Sequence, residues 1–309
     1  MKYQALPWHD YKLPSIYHIT LTQLPGCLPF SVLEGTPTAP RLTLTPFGKA
    51  TEVIIRNTLN NLPFYFLGCY KIMPDHIHMI VTVKRKLKRS IRMEVAVAKS
   101  QISKTHSSMR GFDTTQSVFK KDFHHRIIFS NEELETCKAY IRDNPRRLLV
   151  KRSHPDLFRV YNHLIIGDME MAAYGNIFLL RDYQKMAVGI HHWWSEAELH
   201  AYRQRCLMVA DNEGVLVSPW IHDWEREIRN EAIERGARII TLRADGFQER
   251  FKPQGHEFEL CSEGRLLLLA PWPDAPRTPM SRSTALTLNG LASRIASFTH
   301  TDPATLRNS

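Results

Sequence analysis

The segment Met73-Pro-Asp-His-Ile-His-Met-Ile-Val81 constrains this chain more than any other stretch. After a Met-Pro-Asp turn, residues alternate between imidazole and hydrocarbon. Side chains on a strand point to opposite faces with period two. His76 and His78 therefore share one face, and Ile77, Met79 and Val81 share the other. Such a strand suits a sheet with one face packed on a core and the other carrying function. Two imidazoles side by side can grip one divalent ion. Two histidines on a solvated strand face are the plainer alternative.

The flanking sequence supplies partners for this strand. Ser15–Thr22 alternates and is rich in β-formers, so it predicts a strand. Residues 25–40 are broken by proline and glycine and predict a loop or loose hairpin, and Arg41–Thr45 a short strand. Pro46-Phe-Gly48 opens a helix to about Asn61, with Val53, Ile54, Ile55 and Leu59 near helical spacing. Phe64–Lys71 and His76–Val83 are strands joined by the turn. Ser90–His106 predicts an amphipathic helix, Ser107–Ser117 a mobile loop, and Phe123–Phe129 a further strand. Ser130 then caps a helix over Asn131–Asn144, with Glu132 and Glu133 in its first turn and Pro145 as its stop. The order β-α-β-β-α-β-α describes an antiparallel α+β sandwich of the ferredoxin-like kind.

The remainder has a different rhythm. Residues 164–176 look like a linker between a first domain at 1–163 and a second at 177–298, with a flexible tail at 299–309. Ile177–Leu180, Gly214–Ser218, Ala237–Leu242 and Arg265–Ala270 predict short apolar strands, with helices over Ser195–Ala210 and Asp223–Gly236. That alternation predicts an α/β, Rossmann-like domain with a parallel sheet. Charge divides the same way. Residues 1–163 hold 25 Lys and Arg against 12 Asp and Glu, while the rest holds 16 against 19. A first domain this basic is suited to polyanions, of which nucleic acid is the commonest. Five scattered cysteines form no CxxC pair, and neither a signal peptide nor an apolar run of membrane-spanning length is visible. A reducing cytoplasm is the expected setting.

A second chemical element is Tyr140-Ile-Arg-Asp-Asn144-Pro145. Tyr140 and Asn144 are four apart and share a helix face. A tyrosine can act as a nucleophile if its surroundings activate it, and an asparagine amide oxygen can join a metal site. Alone, such a tyrosine is an ordinary half-buried aromatic.

Taken together, a strand with HxH, some sixty residues, and a helix with YxxxN before proline resemble the single-tyrosine HUH transposases of bacteria, of the REP-associated tyrosine transposase type. The resemblance covers Ser15 to about Val150. It includes Tyr17-His-Ile-Thr-Leu-Thr22, Leu44-Thr-Pro-Phe-Gly48, Met73–Ile80, Phe123-His-His-Arg-Ile-Ile128 and Asn131-Glu-Glu-Leu134 leading into Tyr140–Pro145. It implies His76, His78 and Asn144 as ligands of Mg²⁺ or Mn²⁺, and Tyr140 as the nucleophile that leaves a 5′-phosphotyrosine on single-stranded DNA. It also implies hairpin-forming repeats as substrate, and it leaves monomer and homodimer open, since the tyrosine helix can be exchanged between subunits in such proteins. Two departures bear on DNA recognition. Gln116-Ser-Val-Phe-Lys-Lys121 lacks the aromatic, glycine-rich pattern, and Arg146-Arg-Leu-Leu149 follows the proline in place of a tryptophan or Arg-Ala-Gly.

Lys84, Arg85, Lys86, Lys88 and Arg89 follow the HxH strand and suit phosphate contacts. Arg142, Arg146, Arg147, Lys151 and Arg152 would extend that track. His124 and His125 invite structural or DNA-contact roles ahead of metal ligation. In the second domain, Gly214–Ile221 with Glu225–Arg229, Lys252–Gly255 and Glu263–Ala270 distantly resemble the Rossmann-like folds of the DprA/Smf type. Neither a GxGxxG fingerprint nor a P-loop is present. Trp193, Trp194, Trp220 and Trp224 could stack on bases or pack in the core. The functional readings are thus a metal-dependent single-stranded DNA endonuclease and strand transferase, a related nickase of replication or transfer, and a DNA-binding regulator that does not cut.

Overall fold

The computed structural model describes residues 6–112, 114–182, 184–191, 193–248, 251–273, 275 and 280–298. The chain divides into two compact units, Met1–Val150 and Lys151–Ser309. Among the described residues no helix is long and apolar enough to cross a membrane. The tail expected at 299–309 lies outside the described residues.

In the first unit, β1 (Ser15–Thr22), β2 (Ser31–Thr36), β3 (Ala39–Leu44), α1 (Pro46–Thr58), β4 (Tyr65–Ile72), β5 (His76–Val83), α2 (Ile91–Met109), β6 (His124–Ile128) and α3 (Asn131–Ser153) follow in order. Four strands form an antiparallel sheet in the order β4-β5-β1-β6. The broken segment 25–40 and its short strand resolve into the β2–β3 hairpin. The alternation in β1 and β5 has the expected consequence. Tyr17, Ile19 and Leu21 join Ile77, Met79 and Val81 in a buried cluster with Phe47 and Ile55 of α1 and Ile91, Val95 and Ile102 of α2. His18, Thr20 and Thr22 fall on the opposite face, with Thr20 paired to His78 and Thr22 to His76.

Local chemistry sets the helix starts. Thr45 is the N-cap of α1, and its hydroxyl accepts from Gly48 N at 3.0 Å. Ser130 accepts from Glu133 N at 3.1 Å, and the Glu133 carboxylate accepts from Phe129 N at 2.9 Å.

The end of α3 departs from expectation. Pro145 does not stop the helix, which continues to Ser153. A proline in a helix interior removes one backbone donor and costs about 3 kcal/mol. Packing offsets that cost here. Ile141, Pro145, Leu149 and Val150 are buried, and Leu149 clusters with Leu33 of β2 and Met73 before β5. Local propensity loses to tertiary burial.

In the second unit, a one-turn 3₁₀ helix (Pro155–Phe158) leads to β7 (Val160–Ile166) and β8 (Met169–Gly175). Then come a second 3₁₀ segment (Ile177–Arg181), β9 (Lys185–Ala187), α4 (Glu196–Asp211), β10 (Val215–Ser218), α5 (Asp223–Glu234), β11 (Arg238–Leu242), α6 (His256–Ser262), β12 (Leu266–Ala270) and α7 (Arg282–Ser297). The sheet order is β7-β8-β12-β11-β10-β9. Strands β9 to β12 are parallel, while β8 runs antiparallel to both β12 and β7. Three expectations are corrected. Residues 164–176 are no linker: most of them belong to the β7–β8 hairpin of the sheet, and the unit begins well before residue 177. Met169-Glu-Met-Ala-Ala-Tyr-Gly175 lacks β-branched residues, so nothing local marks a strand whose formation depends on burial against β12. Ile177–Leu180 is a 3₁₀ turn capped by the Asn176 side chain, too short a run to distinguish from a strand by hydropathy. The sheet is mixed where a wholly parallel one was expected.

Gly48 tests the packing of α1. A Cβ there would lie 1.7 Å from the Phe30 carbonyl oxygen and 2.8 Å from its carbon, both backbone atoms that cannot rotate away. Gly48→Ala should destabilise the protein by about 2 kcal/mol or more. Equilibrium urea unfolding measures this, and an unchanged midpoint would refute it.

Candidate active site on the histidine face

The polar face of the first sheet collects the candidate residues. His76 and His78 lie on neighbouring turns of the β5 pleat, with ring centroids 4.8 Å apart. His78 is buried, and its Nδ1 lies 3.1 Å from His18 Nε2 and 3.0 Å from Thr20 Oγ1. His76 Nδ1 lies 2.7 Å from the Asp75 carboxylate, which terminates the turn before the strand. Lys71 of β4 is the register partner of His78 and so occupies the same face.

Helix α3 covers this face. The Tyr140 ring centroid is 5.4 Å from that of His78 and 6.2 Å from that of His18. Arg147, two helical turns on, is buried with its guanidinium 5.4 Å from the Tyr140 ring centroid. Asn144 is also buried, and its Nδ2 donates to the Tyr140 carbonyl at 3.0 Å. That bond reinforces the helix beside Pro145 and makes Oδ1 the asparagine atom available to a cation.

Sequence reasoning missed His18. Its signal is present in the alternation of β1, where a histidine interrupts no apolar position and stands two residues from Thr20 on the polar face. What pattern alone cannot supply is the β1–β5 pairing that sets it against His78. Burial holds the His18 pKa down to about 4, with His124 and Arg126 adding repulsion, so its ring is neutral at neutral pH. His124 and Arg126 pair with Thr20 and His18 and share this face. His125 turns the other way. Its Nε2 lies 2.6 Å from Tyr11 Oη, and its Nδ1 3.4 Å from Arg92.

The basic residues separate into two sets. Lys84, Arg85, Lys86, Lys88 and Arg89 are exposed on a loop anchored by buried Leu87. That loop leaves the far end of β5, six residues from His78, or about 20 Å at strand rise. It is not beside the histidines, as its place in the sequence suggests. Arg142 is exposed, Arg146 bonds Asp143 at 2.6 Å and 2.8 Å, and Arg147 reaches the Tyr140 ring. Lys151 lies in the second unit, 5.7 Å from the ring centroids of Phe158 and Phe258. Of the tryptophans, Trp220 is buried and donates to Thr241, Trp194 packs at a core edge against Tyr202, and Trp224 meets His200. Trp193 is 67% exposed and stacks on His191.

Among the described residues no three His, Cys, Asp or Glu side chains are arranged to hold a metal ion. His76 and His78 bring two imidazoles together on one face, nitrogen donors of the kind that divalent transition metals favour.

No family model and no curated protein matches this chain. The solved structure of a REP-associated tyrosine transposase bound to a REP hairpin is similar at a TM-score of 0.31 and 14% identity, over 46% of this chain and 73% of that one. A likeness this low leaves function to the site itself.

The histidines predict a pH response. The His125 pKa is held down to about 4 from 6.5, mainly by burial and then by Arg92. The unfolded chain therefore binds more protons than the folded one between those values, so stability falls as pH drops from 6.5 towards 4. His125→Gln should make that fall shallower in urea titrations across the range. An identical slope in the variant would show that His125 contributes nothing to it.

Proposed function

We propose that this chain is a DNA-processing enzyme that cuts and rejoins single-stranded DNA through Tyr140. On this reading the first unit is a ferredoxin-like HUH domain of the transposase type, acting on hairpin-forming repeats, and the second is a Rossmann-like accessory domain. The observation that carries the proposal is the placing of Tyr140 over the histidine face, 5.4 Å from the His78 ring. Binding DNA requires no such juxtaposition.

The Tyr140 phenolic oxygen attacks the phosphorus of a phosphodiester and loses its proton to solvent. The bond from phosphorus to O3′ breaks, and O3′ takes up a proton. The products are a 5′-phosphotyrosine and a free 3′-OH. The covalent link conserves the phosphodiester energy, so a second 3′-OH can attack it and reseal the strand. Arg147 supplies fixed positive charge over the Tyr140 ring, 5.4 Å from its centroid, where it would help offset the negative charge that gathers at the reacting centre. A divalent cation held by His76, His78 and Asn144 would neutralise charge on the scissile phosphate. The exposed loop at residues 84–89 lies about 20 Å along the sheet, close to six nucleotide steps of a duplex strand. It suits the phosphates of a hairpin stem better than those at the cleavage point.

Incubation of the protein with labelled hairpin DNA and Mn²⁺ or Mg²⁺ should give an adduct that survives denaturation. Tyr140→Phe should abolish it, and His76→Ala should reduce it at least about 100-fold. Tight binding with no adduct in any divalent metal would favour a regulator that does not cut. Replacing Lys84, Arg85, Lys86, Lys88 and Arg89 together with alanine should weaken DNA binding and flatten its salt dependence, by about 0.9 in log–log slope per lost duplex phosphate contact. An unchanged slope would remove the loop from the interface.

A further inference from the structure

His78 is held by more than its own strand. On β1, His18 and Thr20 stand diagonal and opposite to it. His18 Nε2 and Thr20 Oγ1 both converge on the same atom, Nδ1, at 3.1 Å and 3.0 Å. Both imidazoles are buried, so a hydrogen bond between them is weakly screened. We propose that His18 is a positioning residue that accepts the Nδ1–H of His78 and thereby aims Nε2 of His78 at the bound cation. The inference rests on the metal-dependent function proposed above.

The chemistry constrains the direction of this bond. A neutral imidazole carries one proton, and the nitrogen that ligates a cation must be bare. If Nε2 of His78 ligates, Nδ1 bears the proton and needs acceptors. His18 Nε2 and Thr20 Oγ1 are both in place to accept it. The alternative role for His18, as a third ligand with His76 and His78, is disfavoured because its Nε2 lies 3.1 Å from His78 Nδ1 and is engaged there. Among the described residues no three such side chains are arranged around a common point. His18 is engaged with the ring of His78, in the way that metal-ligating histidines are commonly oriented by an outer partner.

Nitrogen-15 NMR of histidine-labelled protein reads the tautomer directly, without metal or DNA. In the metal-free wild type, His78 should carry its proton on Nδ1. His18→Gln should preserve that state, because a glutamine amide oxygen can accept at similar reach. His18→Ala should give a mixture of tautomers. Calorimetric titration with Mn²⁺ should show affinity lowered on the order of 10- to 100-fold in His18→Ala and largely restored in His18→Gln. A wild-type His78 protonated on Nε2 would overturn the proposal, as would wild-type Mn²⁺ affinity in His18→Ala. The wild-type tautomer stands as evidence even if a variant fails to fold. Absence of Mn²⁺ binding by the wild type, with the Nδ1–H tautomer intact and lost in His18→Ala, would sink the metal-dependent function and still support the orienting bond.

Discussion

A one-residue slip between β1 and β5 would drive His76 and His78 into the core and expose Ile77, Met79 and Val81. The pairing of Thr20 with His78 and Thr22 with His76 prevents this. Side chains alternate with period two, so register and face are one property. The apolar face enforces the register. Three residues of β1 and three of β5 are packed against α1 and α2 on that side, and every slipped alignment would uncover them. The polar face inherits its geometry from this constraint. Its histidines stand where they do because hydrocarbon on the other side of the same strands has nowhere else to go.

The tyrosine helix depends on a second, weaker device. Pro145 costs α3 a backbone hydrogen bond in the turn that follows Tyr140. Leu149, packed with Leu33 and Met73, holds the helix beyond the proline against the hairpin and the turn that launches β5. Asn144 adds a side-chain bond to the Tyr140 carbonyl. Met73 thus contacts the far end of α3 and immediately precedes the turn to His76. One small cluster ties the strand of the histidines to the helix of the tyrosine. Arg147 is placed over the Tyr140 ring by the continuation of the helix, which a stop at residue 144 would have abolished.

Charge distribution acts on a longer scale. The exposed cations of residues 84–89 lie at the end of β5 remote from the histidines, and Arg147 lies next to Tyr140. Basic groups at both ends of the polar face suit an extended polyanion better than a small one. The second unit carries no comparable excess, since residues 151–309 hold 19 Lys and Arg against 20 Asp and Glu. Its strands β10, β11 and β12 are buried, as the apolar runs imply, and Trp220, a candidate for base stacking, is consumed by its core.

Elements with strong local signals were legible before any coordinates. The bounds of β1 and β5, the cap at Ser130, and the common face of His76 and His78 follow from period-two alternation and from side chains that satisfy helix-end donors. Both effects act within a few residues of chain, so the sequence by itself determined them. The β7–β8 hairpin, the passage of α3 through Pro145 and the partnership of His18 with His78 were decided only by the tertiary structure. Each depends on groups far apart in sequence, Gly175 with Leu267, Leu149 with Leu33 and Met73, His18 with His78. Local preferences amount to about 1 kcal/mol per residue for strands and about 3 kcal/mol for a helical proline, and burial of several apolar side chains exceeds them.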